Sequence, residues 1–204
     1  MPSVLPVLPA LRPVFPDGGP RAGAVLRLDD PGALGLALVA GATAGDDWCA
    51  VVGMPEFGVL AAAGMGADLD RLLLVEAPGR QWPEVVAALA DGVRFILLRP
   101  GERPAPAMAR RLNAVVRRHD CVLAVSGDHA WEGATLTLRV SDGAWSGLGD
   151  GHGHLRGRRA QVTAYARGGG ERRTWVWLPG PDGAVAAAEA PVAEPAVPSV
   201  RRIA

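Results

Sequence analysis

The chain has 204 residues, of which 49% are hydrophobic, and its 21 basic residues balance its 21 acidic residues. This length suits one full-sized core and is short for two domains. A net charge of zero gives no global argument for nucleic-acid binding, although a local basic cluster can still provide one. The apolar runs are short and broken by Gly, Pro or charge, so no membrane span is expected. The N-terminal segment lacks the basic and then apolar pattern of a signal peptide, which predicts a cytoplasmic location.

Three segments differ in composition and define the predicted domain organisation. Residues 1–14 are Pro-rich and apolar, which predicts an arm that either packs on its own domain or is lent to a partner. Residues 15–179 carry the strand and helix patterns of one α/β domain. Residues 180–204 combine Pro, Ala, Val and Glu without a fixed period, which predicts a flexible tail.

Short apolar strands alternate with helices through most of the domain. The predicted strands are residues 24–28, 48–52, 71–75, 94–98 and 121–125. The predicted helices are residues 33–44, 57–65, a segment that opens at Pro83, and 105–119. This alternation predicts a mainly parallel sheet flanked by helices on both faces. Polar and apolar residues then alternate at 135–140, 161–166 and 173–178, which predicts antiparallel strands added at the C-terminal side.

The turn between the first strand and the first helix, Asp29-Asp30-Pro31-Gly32, stands where a phosphate-binding loop would lie. Such a loop needs backbone N–H groups, glycines, a Lys for the phosphates and a Ser or Thr for Mg²⁺. Here two carboxylates would repel phosphate, Pro31 has no N–H to donate, and the chain contains no Lys. ATP chemistry of the usual P-loop kind is therefore not expected, and no cofactor is predicted.

Five motifs, in their order and spacing, carry a resemblance that covers about residues 15–179. They are Phe-Pro-Asp-Gly-Gly at 15–19, Trp-Cys-Ala-Val-Val-Gly-Met-Pro at 48–55, and the segments 66–72, 82–89 and 153–159. With these motifs the chain resembles the RecA-like core fold, and more closely the ImuA group of RecA-related accessory proteins of actinobacteria. That group accompanies the ImuB protein and an error-prone C-family DNA polymerase in damage-induced (SOS) mutagenesis. The resemblance implies a RecA-like fold, an ImuB-like partner and, through that partner, the polymerase.

The departures from the family's ATPases bear on catalysis. The strand that would present a Mg²⁺-organising Asp is followed by Arg99, and Glu56 lies near, but not in register with, the water-activating glutamate of RecA. The resemblance therefore implies a RecA-shaped scaffold with a degenerate nucleotide loop, not an enzyme, and no catalytic residue is predicted. Two alternatives stay open: a SulA-like cell-division inhibitor, and a RecA-type ATPase with a divergent nucleotide loop.

The densest basic cluster is Arg156, Arg158 and Arg159, at the end of the segment 142–159 that we interpret as a loop. If that loop stands where RecA proteins contact DNA, these guanidinium groups would bind phosphates and give weak contact with single-stranded DNA. The alternative, favoured by the zero net charge, is a solvated Arg-rich entry to a strand.

The C-terminal tail offers candidate partner-binding residues. They are Val192, Val197, Val200, Arg201, Arg202 and Ile203. This mixture of apolar and basic residues is either a solubilising end or a segment that orders on a partner surface. The resemblance to ImuA proteins, which act by binding ImuB, favours docking. Homo-oligomerisation stays open.

Other side chains with chemical potential give weaker patterns. The residues His119, Cys121, His129, His152 and His154 lack the paired spacing of a zinc site, so no metal is predicted. Ser126, Asp128 and His129 lie too close in sequence for a hydrolase triad and lack a Gly-x-Ser-x-Gly elbow. Trp175 and Trp177 share one strand face, and we expect core or interface packing there in preference to base stacking. Cys49 and Cys121 are expected to be buried hydrophobes.

Overall fold

The computed structural model describes residues 3–127, 130–149 and 152–191, and these hold nine strands and four α-helices. The strands are β1 Val25–Leu28, β2 Cys49–Val52, β3 Leu72–Val75, β4 Phe95–Leu98, β5 Val122–Ser126, β6 Leu136–Gly149, β7 His152–Ala166, β8 Glu171–Trp177 and β9 Ala186–Ala187. The α-helices are α1 Gly32–Thr43, α2 Val59–Gly64, α3 Trp82–Leu89 and α4 Pro106–Arg118. Short 3₁₀ helices occupy Pro9–Val14, Leu69–Arg71 and Gly79–Gln81.

All nine strands belong to one sheet with the order β3-β2-β4-β5-β1-β6-β7-β8-β9. The pairs among β1 to β6 are parallel, whereas β7, β8 and β9 each run antiparallel to the preceding strand. The predicted α/β class, a mainly parallel sheet flanked by helices with antiparallel strands toward the C-terminus, is confirmed. No helix in the described part of the chain has both the length and the apolar character needed to cross a membrane.

Two hydrophobic cores lie on opposite faces of the sheet. The α1-side core combines α1 with strand residues such as Leu26, Leu97 and Leu138. The α4-side core combines α3 and α4 with the alternate strand residues, among them Ile96 and Leu123. Helix α1 is apolar on all sides and nearly completely buried, as a helix enclosed between a sheet and a further layer must be.

The N-terminal arm supplies that further layer over α1. Leu5 and Val7 are buried in the α1-side core, and the Leu5 N–H donates a 2.8 Å hydrogen bond to the Pro20 carbonyl. A Cβ added at Gly41 would lie 2.6 Å from the Cα of Val7, so the arm crosses α1 at direct backbone contact. Glycine permits this approach because it has no side chain to separate the two chains.

Two C-terminal segments differ from the sequence-based interpretation. The segment 142–159, interpreted as a loop, instead continues β6 and β7 into a long two-stranded ribbon. Its glycines conceal the strand pattern, and register shifts after Ser141 and Ser146 break the alternation. The predicted tail begins with ordered structure: β9 pairs with β8, and Val185 packs against the α1-side core.

Strand β3 forms one end of the sheet and leaves apolar side chains at the surface. Leu73 is 37% exposed and Leu74 is 41% exposed, while the strand pairs on its other side with β2. At the far end, β8 begins with the charged residues Glu171, Arg172 and Arg173 and is covered in part by the two-residue β9. The two ends of the sheet therefore differ in chemistry.

Both cysteines are expected to resist thiol reagents while the protein is folded. Cys49 and Cys121 are fully buried on opposite faces of the sheet. Burial raises the pKa of both thiols, that of Cys121 to about 12, and only the thiolate reacts. Labelling with Ellman's reagent at about pH 8 should require denaturant, and rapid labelling of either native thiol would contradict this.

The raised pKa of the buried thiols also predicts a pH dependence of stability. The folded state keeps these protons while the unfolded state loses them, so the free energy of unfolding should decrease as pH rises from about 9 toward 12.

Candidate functional site

The turn from β1 to α1 lies at the carboxyl ends of the parallel strands, near the centre of the sheet. In open α/β sheets this edge is where ligands bind. Helix α1 begins at Gly32, directly after Pro31, whose backbone is already helical (φ −69°, ψ −43°), and no side chain among the described residues caps the helix. The turn and the neighbouring strand ends are therefore the first candidate functional site.

Two arginines hold Asp29, the first residue of that turn. Nη1 of Arg27 lies 2.8 Å from one Asp29 carboxylate oxygen, and Nε of Arg139 donates a 2.7 Å hydrogen bond to the other. The contact between Arg27 and Asp29 is an ion pair and not a hydrogen bond. Accordingly, Arg27 Nε and Asp29 Oδ1 are buried without a hydrogen-bond partner among the described residues. The Asp29 side chain is 19% exposed, and its hydrogen bond raises the pKa of Arg139.

Glu56 and Arg99 form a second pair, two strands away from the turn. Arg99 follows β4 and donates from Nη1 to the Glu56 carboxylate, which lies beyond the end of β2. Gly53 sets this geometry: its φ is +74°, and a Cβ at that position would lie 2.3 Å from the Arg99 carbonyl oxygen. Arg99 and Glu56 thus neutralise each other at this edge of the sheet.

These pairs define what the carboxyl edge can do chemically. Mg²⁺ and phosphates require a free carboxylate and free N–H or cationic groups, respectively. Here Asp29 and Glu56 each bind an arginine of the same chain. Within residues 3–127, 130–149 and 152–191, no group of three metal-ligating side chains comes together. A nucleotide or metal ion that used Asp29 or Glu56 would have to displace these internal ion pairs.

The predicted basic cluster does not form one surface. Arg159 pairs across β8 with Trp177, whereas Arg158 pairs across β6 with Trp145. Because successive strand residues point to opposite faces, Arg158 and Arg159 lie on opposite sides of the sheet, and Arg156 follows Arg158 in this alternation. The sequence shows three arginines close together, but the pleat divides them.

Several other candidate residues are separated from one another or fall outside the described structure. The candidate partner-binding residues Val192, Val197, Val200, Arg201, Arg202 and Ile203 lie outside the described residues, as do Asp128 and His129. His119 contacts Asp91 at 2.9 Å, and Cys121 is buried in the α4-side core. The Ser126 hydroxyl is buried without a hydrogen-bond partner in the described part of the chain.

An aromatic and basic surface on β7 and β8 is the feature that sequence reasoning did not identify. Tyr165 is 39% exposed, and Trp175 and Trp177 are half-buried outside both cores. The alternation of β8 correctly places both tryptophans on one face. What the alternation does not reveal is that the α4-side layer of helices ends before it reaches these strands.

Comparison with known proteins places most of the parallel sheet in one family. A family model described as the MT3502 N-terminal domain matches residues 13–133, which include β1 to β5. The chain is also 41% identical over 104 residues to the uncharacterized protein Rv3395c of Mycobacterium tuberculosis (strain H37Rv). That alignment covers 50% of this chain and 50% of the relative, so the chain matches about half the length of this curated relative.

Proposed function

This chain belongs to the MT3502 N-terminal domain family, and from its carboxyl-edge geometry we propose that it is a non-catalytic RecA-like accessory protein. In this proposal it acts in the cytoplasm, in damage-induced error-prone translesion DNA synthesis. It binds an ImuB-like protein, in keeping with its resemblance to the ImuA group, and reaches an error-prone C-family polymerase through that partner.

The state of the degenerate nucleotide loop is the observation that carries the non-catalytic part of the proposal. Asp29 is engaged by Arg27 and Arg139, and Glu56 is engaged by Arg99. In an ATPase the corresponding elements must stay free to bind metal and to activate water. Here both carboxylates are instead paired with arginines of the same chain, which is consistent with a scaffold.

Co-purification with the ImuB-like protein of the same host tests the partner. We expect the full chain to be retained and a version ending at Pro191 to be lost, because the tail residues are the proposed contact. Residue 191 is the right end point, since β9 pairs with β8 and Val185 packs against the α1-side core. A shorter truncation would remove part of the fold as well as the tail.

Two results would contradict this function. Failure of both versions to bind the ImuB-like protein would remove the partner assignment. Saturable binding of an ATP analogue, lost on Arg27→Ala or Glu56→Gln, would support the divergent-ATPase alternative instead. We expect no saturable nucleotide binding by the full chain.

A further inference from the structure

The α4-side face of β6, β7 and β8 forms a surface that we call the platform. Its members are Arg139, Arg159, Tyr165, Arg173, Trp175 and Trp177. The strand register places them on one face: Trp177 lies opposite Arg159, Trp175 opposite Gln161, and both Arg139 and Arg173 are opposite Thr163. Alternate residues along β8 place the two tryptophans about 7 Å apart.

The platform is not part of either hydrophobic core. The alternate residues Val162, Ala164 and Val176 point to the other side of the sheet and are buried in the α1-side core. The α4-side core contains no residue of β6, β7 or β8 in the described part of the chain. The two tryptophans and Tyr165 therefore lie on a sheet face that no described helix covers.

Positive charge concentrates on the platform even though the chain as a whole is neutral. Its rows carry the guanidinium groups of Arg159 and Arg173 against the carboxylate of Glu171, while Arg139 is already paired with Asp29. Arg139 also lies over the Tyr165 ring, with Cζ 5.8 Å from the ring centroid. A groove of about 400 Å³ continues from Tyr165 along the loop before β6, and Arg27 and Arg167 line it.

The remaining residues of the face decide what kind of ligand fits. Between the aromatic rings the face carries Thr137, Gln161 and the buried Thr163, so it lacks the continuous apolar centre of a protein interface. Flat aromatic rings beside arginines instead suit a ligand that alternates flat, unstacked bases with phosphates. Duplex DNA keeps its bases stacked and would offer only its phosphates.

From this arrangement we propose that the platform binds single-stranded nucleic acid, with bases stacked on Trp175 and Trp177 and phosphates held by Arg159 and Arg173. Because Arg139 lies over the Tyr165 ring, a further base would stack on the outer plane of the Arg139 guanidinium group. This inference goes beyond the proposed function, which requires only the ImuB-like partner. It also differs from the predicted site at Arg156, Arg158 and Arg159, since only Arg159 lies on the platform.

Fluorescence anisotropy with the full chain and a labelled oligothymidylate of about 20 nucleotides tests the platform at low salt, where phosphate contacts are strongest. We expect Trp175→Ala to weaken binding about tenfold and Trp175→Phe, which keeps an aromatic ring, to restore most of it. Arg173→Gln should weaken binding and reduce the slope of log affinity against log salt by about one. Thermal unfolding of each variant establishes that it is folded.

Matched controls on the opposite face of the ribbon separate the platform from general exposure and charge. Trp145 is 48% exposed and lies opposite Arg158, so Trp145→Ala and Arg158→Gln should bind like the unmodified chain. An oligouridylate competitor and a duplex of the same length complete the set. Competition by oligouridylate or by unlabelled oligothymidylate, but not by the duplex, supports the proposal. Displacement by oligouridylate at a much lower concentration than by oligothymidylate assigns the platform to RNA.

Four outcomes would overturn the inference. The first two are the absence of oligothymidylate binding at low salt and equal binding of the duplex. The third is loss of binding in Trp145→Ala or Arg158→Gln but not in the platform variants. The fourth is loss of binding to the ImuB-like protein in Trp175→Ala while DNA binding is unchanged. The last outcome would make the platform a protein interface and leave the proposed function standing. If the full chain does not bind the ImuB-like protein but keeps platform-dependent DNA binding, the proposed function is wrong and the inference about the platform stands.

Discussion

Gly41→Ala is expected to lower the free energy of unfolding by about 3 kcal/mol, although it adds one methyl group to a helix. The new Cβ would lie 2.6 Å from the Cα of Val7 and 2.6 Å from the backbone N of Leu8. Real Cβ atoms do not approach a backbone so closely, so the N-terminal arm must move away from α1. Displacing the arm forfeits the burial of Leu5 and Val7, each of which contributes about 1.5–3 kcal/mol.

Urea denaturation of Gly41→Ala and of a matched variant, Gly64→Ala, measures this effect. A Cβ at Gly64, the last residue of α2, meets nothing within 4 Å, so its substitution should be neutral or slightly stabilising. Limited proteolysis adds an independent readout, because a displaced arm exposes residues 3–14 to cleavage. Equal stability of Gly41→Ala and the unmodified chain would show that the arm does not lie on α1 in solution.

Trp131→Ala is expected to cost about 3–5 kcal/mol of stability, the usual range for a large buried aromatic. Trp131 is 5% exposed, its ring centroid lies 6.3 Å from that of Trp82, and its Nε1 donates a 2.8 Å hydrogen bond to Asn113 Oδ1. Asn113, buried within α4, in turn donates from Nδ2 to the Glu132 carbonyl at 2.7 Å. The network fixes the loop before β6 onto the α4-side core.

A double-mutant cycle separates the hydrogen bond from the packing. Trp131→Phe keeps a ring but leaves Asn113 Oδ1 unpaired, at a cost of about 1–3 kcal/mol. Asn113→Leu leaves the Trp131 N–H and also the Glu132 carbonyl without their partner, so it should cost at least as much. The double variant should cost less than the sum of the two, because the unpaired Asn113 Oδ1 and Trp131 N–H are then both removed and only the Glu132 carbonyl stays unpaired. Trp48→Ala, at a 44% exposed tryptophan, is the control and should change stability little. Strict additivity in the cycle would argue that the hydrogen bond contributes nothing.

Local patterns were enough to predict most of the elements, because burial between two layers leaves a clear trace in the sequence. The apolar runs that become β2 and β4 and the turn before α1 lie within one residue of their predicted positions. The ribbon beyond Ser141 could not be predicted in the same way, because its glycines and register shifts remove the alternation.

The chemistry of the candidate site depended on contacts that the sequence does not display. Arg139 and Asp29 are 110 positions apart, and Arg99 and Glu56 are 43 apart, so nothing local indicates that they pair. Likewise, the alternation in β8 shows that Trp175 and Trp177 share a face, but whether a helix covers that face depends on the ends of distant segments. Ion pairing between distant residues and coverage of a strand face by a helix are tertiary properties. The sequence therefore identifies these residues as candidates but does not predict their contacts.

The unequal ends of the sheet limit how this protein can associate through its backbone. Among the described residues, strand β3 presents leucines and main-chain groups without a strand partner, whereas β8 and β9 present charges and a two-residue strand, which discourage pairing. Strand addition at β3 can therefore take place with a partner's strand or with a second β3 related by a two-fold axis. A β3–β3 pair uses the β3 edge of both chains, so it is a closed contact that leaves no β3 edge for a further copy.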